Sequence, residues 1–205
     1  MEFVQHPENT HASLVEAMQI MDGVEFDLRL TADDQLVVHH DHTVSIPKEK
    51  LDGRPKIVEE WDLADLEEVG FCSFEKLMAD KEWLVPWQEH SKVACLEIKR
   101  CLPSIEKEPT KRMARIMELA SEMVDEAGIH NEAAVFYAFH KPMKKVAKLS
   151  GSNRPWSRLL PVVPRTGSHN SKRIRALPQF VAYSFNRLMN EQKSSGAPMM
   201  PCAVD

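Results

Sequence analysis

Apolar and polar positions alternate without a break through residues 24–30. Val24, Phe26, Leu28 and Leu30 fall on one face of an extended segment, and Glu25, Asp27 and Arg29 on the other. Asp33-Asp34 reads as a turn, and Leu36-Val37-Val38 opens a second extended run. Ahead of these, Leu14, Ala17, Met18 and Met21 recur at helical spacing behind Asn9 and Thr10, either of which can cap a helix, and Gly23 separates helix from strand. Beyond Asp41 the periodicity stops. Residues 42–56 are polar, carry Pro47, Gly53 and Pro55, and read as loop. Short helices are expected over 62–68 and 73–79, with Trp61, Trp83 and Trp87 covering a core edge.

The regular pattern returns at residues 93–99, where Leu96 and Ile98 oppose Cys95, Glu97 and Lys99 on a strand. Pro109-Thr110 opens the clearest helix: Met113, Ile116, Met117, Ala120, Met123, Val124 and Ala127 form a wide stripe that Gly128 ends. Residues 133–139 are apolar throughout, as in a parallel strand covered on both faces, and a short helix follows over 143–149. Thinner extended runs are expected at 158–163 and 180–185. Strands alternating with helices, with charged residues at strand ends, favour an α/β TIM barrel over a doubly wound sheet.

Composition narrows the class. The 205 residues suit one domain, here read as 1–205 with an irregular, helical insertion over 42–90. With 43% hydrophobic and 28% charged residues, the chain can bury a core. A net charge of −5 argues against nonspecific affinity for nucleic acid or an anionic membrane. No apolar run is long enough to span a bilayer, and the four cysteines lack metal-ligand spacing, so a reducing cytoplasm is the expected compartment.

Chemistry concentrates on the first strand. Carboxylates at i and i+2 point the same way and repel unless a cation or solvent lies between them. An edge strand with one solvated face accounts for Glu25 and Asp27 taken alone. Their context changes that reading. Pro7-Glu8-Asn9-Thr10, Glu25-Phe26-Asp27, His40-Asp41 and Glu97-Ile98-Lys99 follow one another in an order and spacing that resemble the glycerophosphodiester phosphodiesterase family.

The resemblance implies a TIM barrel and metal-assisted hydrolysis of a glycerophosphodiester, free or phospholipid-derived, to glycerol 3-phosphate and an alcohol. Glu25, Asp27 and Glu97 would hold a divalent cation, Mg²⁺ or Ca²⁺. His40 would be the catalytic histidine that transfers a proton, and Lys99 would face the same pocket and bind the substrate phosphate. His39, on the opposite face, is expected to pack, and Asp41 to orient a neighbour. A catalytically inactive relative keeping a metal or phosphate pocket as a binding or assembly module is one alternative. A phosphodiesterase for another phospholipid head group is a second.

Members of that family begin with a strand ending in His-Arg-Gly. Here six residues precede Pro7 and hold no His-Arg pair, and Cys202-Ala203-Val204-Asp205 reads as the end of a seventh strand. The expectation is an incomplete barrel lacking its first and eighth strands, with free edges that self-association or a partner would close. Half of the acid–base machinery would be missing, and turnover correspondingly weak.

Overall fold

The computed structural model describes residues 6–47, 51, 53–89, 92–138 and 143–158. The expected features at 1–5, 139–142, 159–163, 166–172, 180–185 and 196–205 lie outside the described residues.

Helix α1 (His11–Ile20) starts at Thr10, whose hydroxyl accepts from the Ser13 backbone N–H while Ser13 Oγ accepts from the Thr10 N–H. Asn9 is therefore not the cap; it sits at φ 54°, in the left-handed region, and is free for another task. Strand β1 (Gly23–Leu30) follows, then β2 (Leu36–Val38), helices α2 (Leu63–Glu68), α3 (Phe74–Ala79) and α4 (Lys81–Glu89), with the two-residue strand β3 (Cys72–Ser73) before α3. Next come β4 (Val93–Ile98), α5 (Pro109–Glu126), β5 (Ala134–Ala138), α6 (Met143–Ser150) and β6 (Trp156–Arg158).

The strands form one sheet in the order β3-β2-β1-β4-β5-β6. The run β1-β4-β5-β6 is parallel, and each crossover between those strands passes through helices. Its order never reverses. A doubly wound sheet needs a reversal, whereas a (β/α)8-type barrel winds in one direction, so this arc is part of a barrel. Gly23 opens β1 against the neighbouring strand at a separation no side chain could share: a Cβ there would lie 2.3 Å from the Val93 carbonyl oxygen.

The outer face carries the main core. Val24, Phe26, Leu28, Leu96, Ile98 and Phe136 are buried there under the helices, with Met113, Ile116, Met117, Ala120 and Val124 of α5 supplying the expected stripe. Trp83 and Trp87 do not cover an edge. They are completely buried inside this core, Trp83 edge-on to Phe26 at 5.7 Å and to Trp87 at 5.5 Å. Pattern reading missed this because α4 is short, holds Pro86, and brings its apolar face from a polar stretch. A second, smaller core of Val37, Val44, Val58, Trp61 and Leu66 fills the space under the loop that follows β2.

The expected turn at Asp33-Asp34 is present, and it folds β2 back onto β1. Leu28 pairs with Val38 and Leu30 with Leu36, antiparallel, so β1 and β2 make a hairpin. The His39 N–H donates to the Asp27 carbonyl at 3.0 Å, and the chain returns to the level of Asp27 before it turns away. The opposite, inner face of the arc is left to Glu25, Asp27 and Arg29 of β1, Cys95 and Glu97 of β4, and Val135 and Tyr137 of β5.

Candidate metal centre and active site

Register explains why three carboxylates meet. Asp27 pairs with Glu97 across β1 and β4, and Glu25 precedes Asp27 by one full pleat. One oxygen from each of Glu25, Asp27 and Glu97 lies within 4.8 Å of the other two. Asp27 and Glu97 are buried; Glu25 stays accessible at the rim. Lys99 continues β4, and its Nζ lies 2.9 Å from both Asp27 Oδ1 and Glu97 Oε1. Three carboxylates facing one ammonium leave an excess of negative charge when ionised. Hard oxygen donors in this number suit Mg²⁺ or Ca²⁺.

Two residues hold the carboxylates in place. Asn9 reaches across from ahead of α1, donating from Nδ2 to Asp27 Oδ2 at 2.7 Å and accepting the Asp27 N–H at 3.1 Å. Its left-handed backbone makes this double contact possible, and asparagine tolerates that conformation better than most residues. Across the arc, the buried Tyr137 hydroxyl donates to Glu25 Oε1. Burial and the Glu25 charge push the Tyr137 phenol well above its usual range, so it stays protonated and can only donate to that oxygen.

Electrostatics follow from this crowding. Desolvation, and then the Asp27 charge, raise the Glu25 carboxyl from 4.5 to about 7, with Tyr137 pulling the other way. Because Glu25 remains accessible, this is the desolvation of a crowded rim rather than of a sealed interior. Burial also raises Glu97, against the opposing pull of Lys99. Burial is the first cause of both rises and the neighbouring carboxylates add to it, a crowding that a bound cation would relieve.

His40 follows the hairpin and is exposed, with its charge felt at Glu97. Its Nδ1 lies 2.8 Å from Asp41 Oδ1. The His40 contact pulls the Asp41 carboxyl below its ordinary value, so Asp41 is an acceptor and the His40 proton sits on Nδ1. Nε2 is the ring nitrogen that this contact does not use. His39 turns away, edge-on to Phe71 at 4.8 Å, with Nε2 3.0 Å from the Thr43 carbonyl.

The structure thus brings together Glu25, Asp27, Glu97 and Lys99 and sets His40 on the adjoining loop. Sequence reasoning did not give Asn9 its hold on Asp27 or Tyr137 its contact with Glu25. Asn9 was visible in Pro-Glu-Asn-Thr but read only as one of two possible helix caps, of which Thr10 is the one used. Tyr137 sat inside an apolar run, where only its register with Glu97 reveals that it faces the carboxylates.

The sequence profile of the glycerophosphoryl diester phosphodiesterase family matches residues 3–145. Among curated proteins none matches the chain. Several solved structures share its fold. A putative glycerophosphoryl diester phosphodiesterase from Silicibacter pomeroyi superposes with a TM-score of 0.57 at 18% identity, over 82% of this chain and 66% of that one. The glycerophosphodiester phosphodiesterase of Thermotoga maritima gives 0.52 at 17%, over 83% and 64%. An Oleispira antarctica phosphodiesterase, solved in complex with the product sn-glycerol-3-phosphate, gives 0.50 at 21%, over 82% and 66%. The chain therefore spans just under two thirds of the length of each of these three. Among the described residues no helix is long and apolar enough to cross a membrane. The matched profile covers most of the sequence, including all four motifs picked out in the sequence, and the chain belongs to the glycerophosphoryl diester phosphodiesterase family.

Proposed function

We propose that the chain hydrolyses glycerophosphodiesters to glycerol 3-phosphate and an alcohol with the help of a bound divalent cation, Mg²⁺ or Ca²⁺. The carrying observation is the convergence of Glu25, Asp27 and Glu97 within 4.8 Å, with Lys99 against two of them. The cation, when bound, neutralises phosphoryl oxygens and favours attack at phosphorus. Glu25, Asp27 and Glu97 are the residues that would hold it, and Asn9 and Tyr137 keep two of those carboxylates oriented. Lys99 places a positive charge where a substrate phosphate would lie. His40 moves a proton at Nε2 while Asp41 holds Nδ1.

The test is release of glycerol 3-phosphate from glycerophosphocholine and glycerophosphoethanolamine, with added Mg²⁺ or Ca²⁺ and with chelator. Weak release that depends on the cation, and that falls further in His40→Ala, is expected. Cation binding without any release would contradict hydrolysis and leave a metal-binding module.

A pH dependence follows from Glu25. Its folded-state carboxyl titrates at about 7 and its ordinary value is 4.5. Between those values the unfolded chain gives up a proton that the folded chain keeps. This group therefore lowers folding stability as pH rises through that window in the absence of cation. A cation must displace the same proton, so its affinity climbs over the same window. Melting temperatures at about pH 5 and about pH 8, with and without Ca²⁺, check both signs: the Ca²⁺-induced rise is expected to be larger at the higher pH. An equal rise at both would contradict the assignment of Glu25 as a ligand.

A further inference from the structure

Arg29 is the third charged residue on the inner face of β1, two positions beyond Asp27, and the reaction outlined above does not use it. It is buried, its side chain only 4% exposed, and every arm of its guanidinium is engaged. Nη1 donates to Glu59 Oε1 at 2.7 Å. Nε and Nη2 both donate to the backbone carbonyl of His40, at 3.1 and 2.5 Å. Nη1 also lies 3.1 Å from His42 Nδ1. Burial and the Arg29 charge hold the His42 imidazole below its usual range, so it is neutral there and accepts from Arg29.

Glu59 comes from the short turn Val58–Glu60, and its side chain is 2% exposed. Its second oxygen, Oε2, has no hydrogen-bond partner among the described residues. The pair is therefore incompletely satisfied for its burial. Stability alone gives no reason to keep such a pair, because well-packed apolar residues often replace a buried ion pair at no loss. What apolar residues cannot replace is the fork on the His40 carbonyl. Lysine cannot reproduce it either, since one ammonium cannot hold Glu59 and grip the carbonyl with two parallel N–H groups.

We infer that Arg29, locked by Glu59, is a positioning residue that fastens the backbone of His40 to the strand carrying Glu25 and Asp27. The His40 side chain is exposed; the His39 N–H bond to the Asp27 carbonyl holds the residue before it, and the Arg29 fork holds the carbonyl of His40 itself. One strand then carries two carboxylates of the cluster and the clamp for the proton-transfer residue, in the pattern Glu25-x-Asp27-x-Arg29. This role rests on the assignment of proton transfer to His40 proposed above.

The experiment uses the full chain and Arg29→Met/Glu59→Leu, which removes both charges together and leaves neither buried alone. Three quantities are measured: the ordering of the His40 amide by NMR relaxation, Ca²⁺ affinity by calorimetry, and kcat and KM for glycerophosphocholine. The His40 order parameter is expected to fall from about 0.85 to below about 0.6. Ca²⁺ affinity and KM are expected to stay within about threefold while kcat falls ~10²-fold, the loss typical of a misplaced reacting group. Arg29→Lys, which keeps a cation beside Glu59, is expected to show the same loss of order at His40 and covers the case in which the double variant does not fold. An ordered His40 in either variant overturns the inference, as does lost order with unchanged kcat. If the unsubstituted chain releases no product, hydrolysis fails as a function, and the ordering of His40 alone decides whether Arg29 is its anchor.

Discussion

Asp27→Asn is expected to abolish divalent-cation binding without unfolding the protein. Asp27 is buried and central: Asn9 holds one of its oxygens and Lys99 the other. Asparagine fits the same space and keeps an oxygen for Lys99, but its amide N–H₂ then faces Asn9 Nδ2 and that one hydrogen bond is lost. What disappears is one negative charge that helps, after burial, to raise Glu25 and Glu97. Loss of a residue that merely supports a ligand weakens a site by ~10- to 100-fold, so loss of a buried ligand charge is expected to cost at least ~100-fold in affinity. Hydrolysis is expected to fall with it. Relief of repulsion opposes the loss of the Asn9 hydrogen bond, so the cation-free melting temperature is expected to change little, while the rise on adding Ca²⁺ vanishes. Calorimetry and thermal melts on the two proteins check this. An unchanged Ca²⁺ affinity would remove Asp27 from the ligand set.

The largest effect on folding is expected at Trp83. It fills the centre of the main core, completely buried between Phe26 and Trp87. Trp83→Ala is expected to cost ~3–5 kcal/mol, a large part of the ~5–15 kcal/mol that holds a typical domain together. The indole nitrogens make a sharper comparison. Trp83 Nε1 is buried with no partner among the described residues, whereas Trp87 Nε1 donates to the Ala133 carbonyl at 2.9 Å. Trp83→Phe discards an N–H that contributes nothing. Trp87→Phe breaks a bond and strands a buried carbonyl, a loss of ~1–3 kcal/mol beyond packing. Urea unfolding should rank Trp83→Ala as the most damaging and Trp87→Phe as worse than Trp83→Phe. Equal midpoints for the two phenylalanine variants would contradict this reading of the core.

Much of this is legible in the sequence. The alternation through 24–30 and 93–99 placed Glu25, Asp27, Glu97 and Lys99 on consistent faces, and period-2 geometry leaves little freedom once one face is buried. The α5 stripe and the Gly23 and Gly128 boundaries were equally clear. Three features were not. Whether Leu36-Val37-Val38 pairs forward or folds back depends on tertiary contacts, since three apolar residues fit either arrangement. The burial of Trp83 and Trp87 depends on how α4 docks, which polar flanks conceal. The Arg29–Glu59 pair spans a loop of irregular structure, and no periodicity links residues 30 positions apart. The charge on the inner face of β1 was visible; its partner was not.

The claim on which the rest depends is that Glu25, Asp27 and Glu97 form one cation site. Its most direct test is a crystal structure of the chain grown with Ca²⁺. The expected result is an ion at about 2.3–2.6 Å from an oxygen of each of the three carboxylates, with Lys99 no longer bridging Asp27 and Glu97. A structure in which Ca²⁺ binds elsewhere, or in which Lys99 keeps both contacts at saturating Ca²⁺, would contradict it.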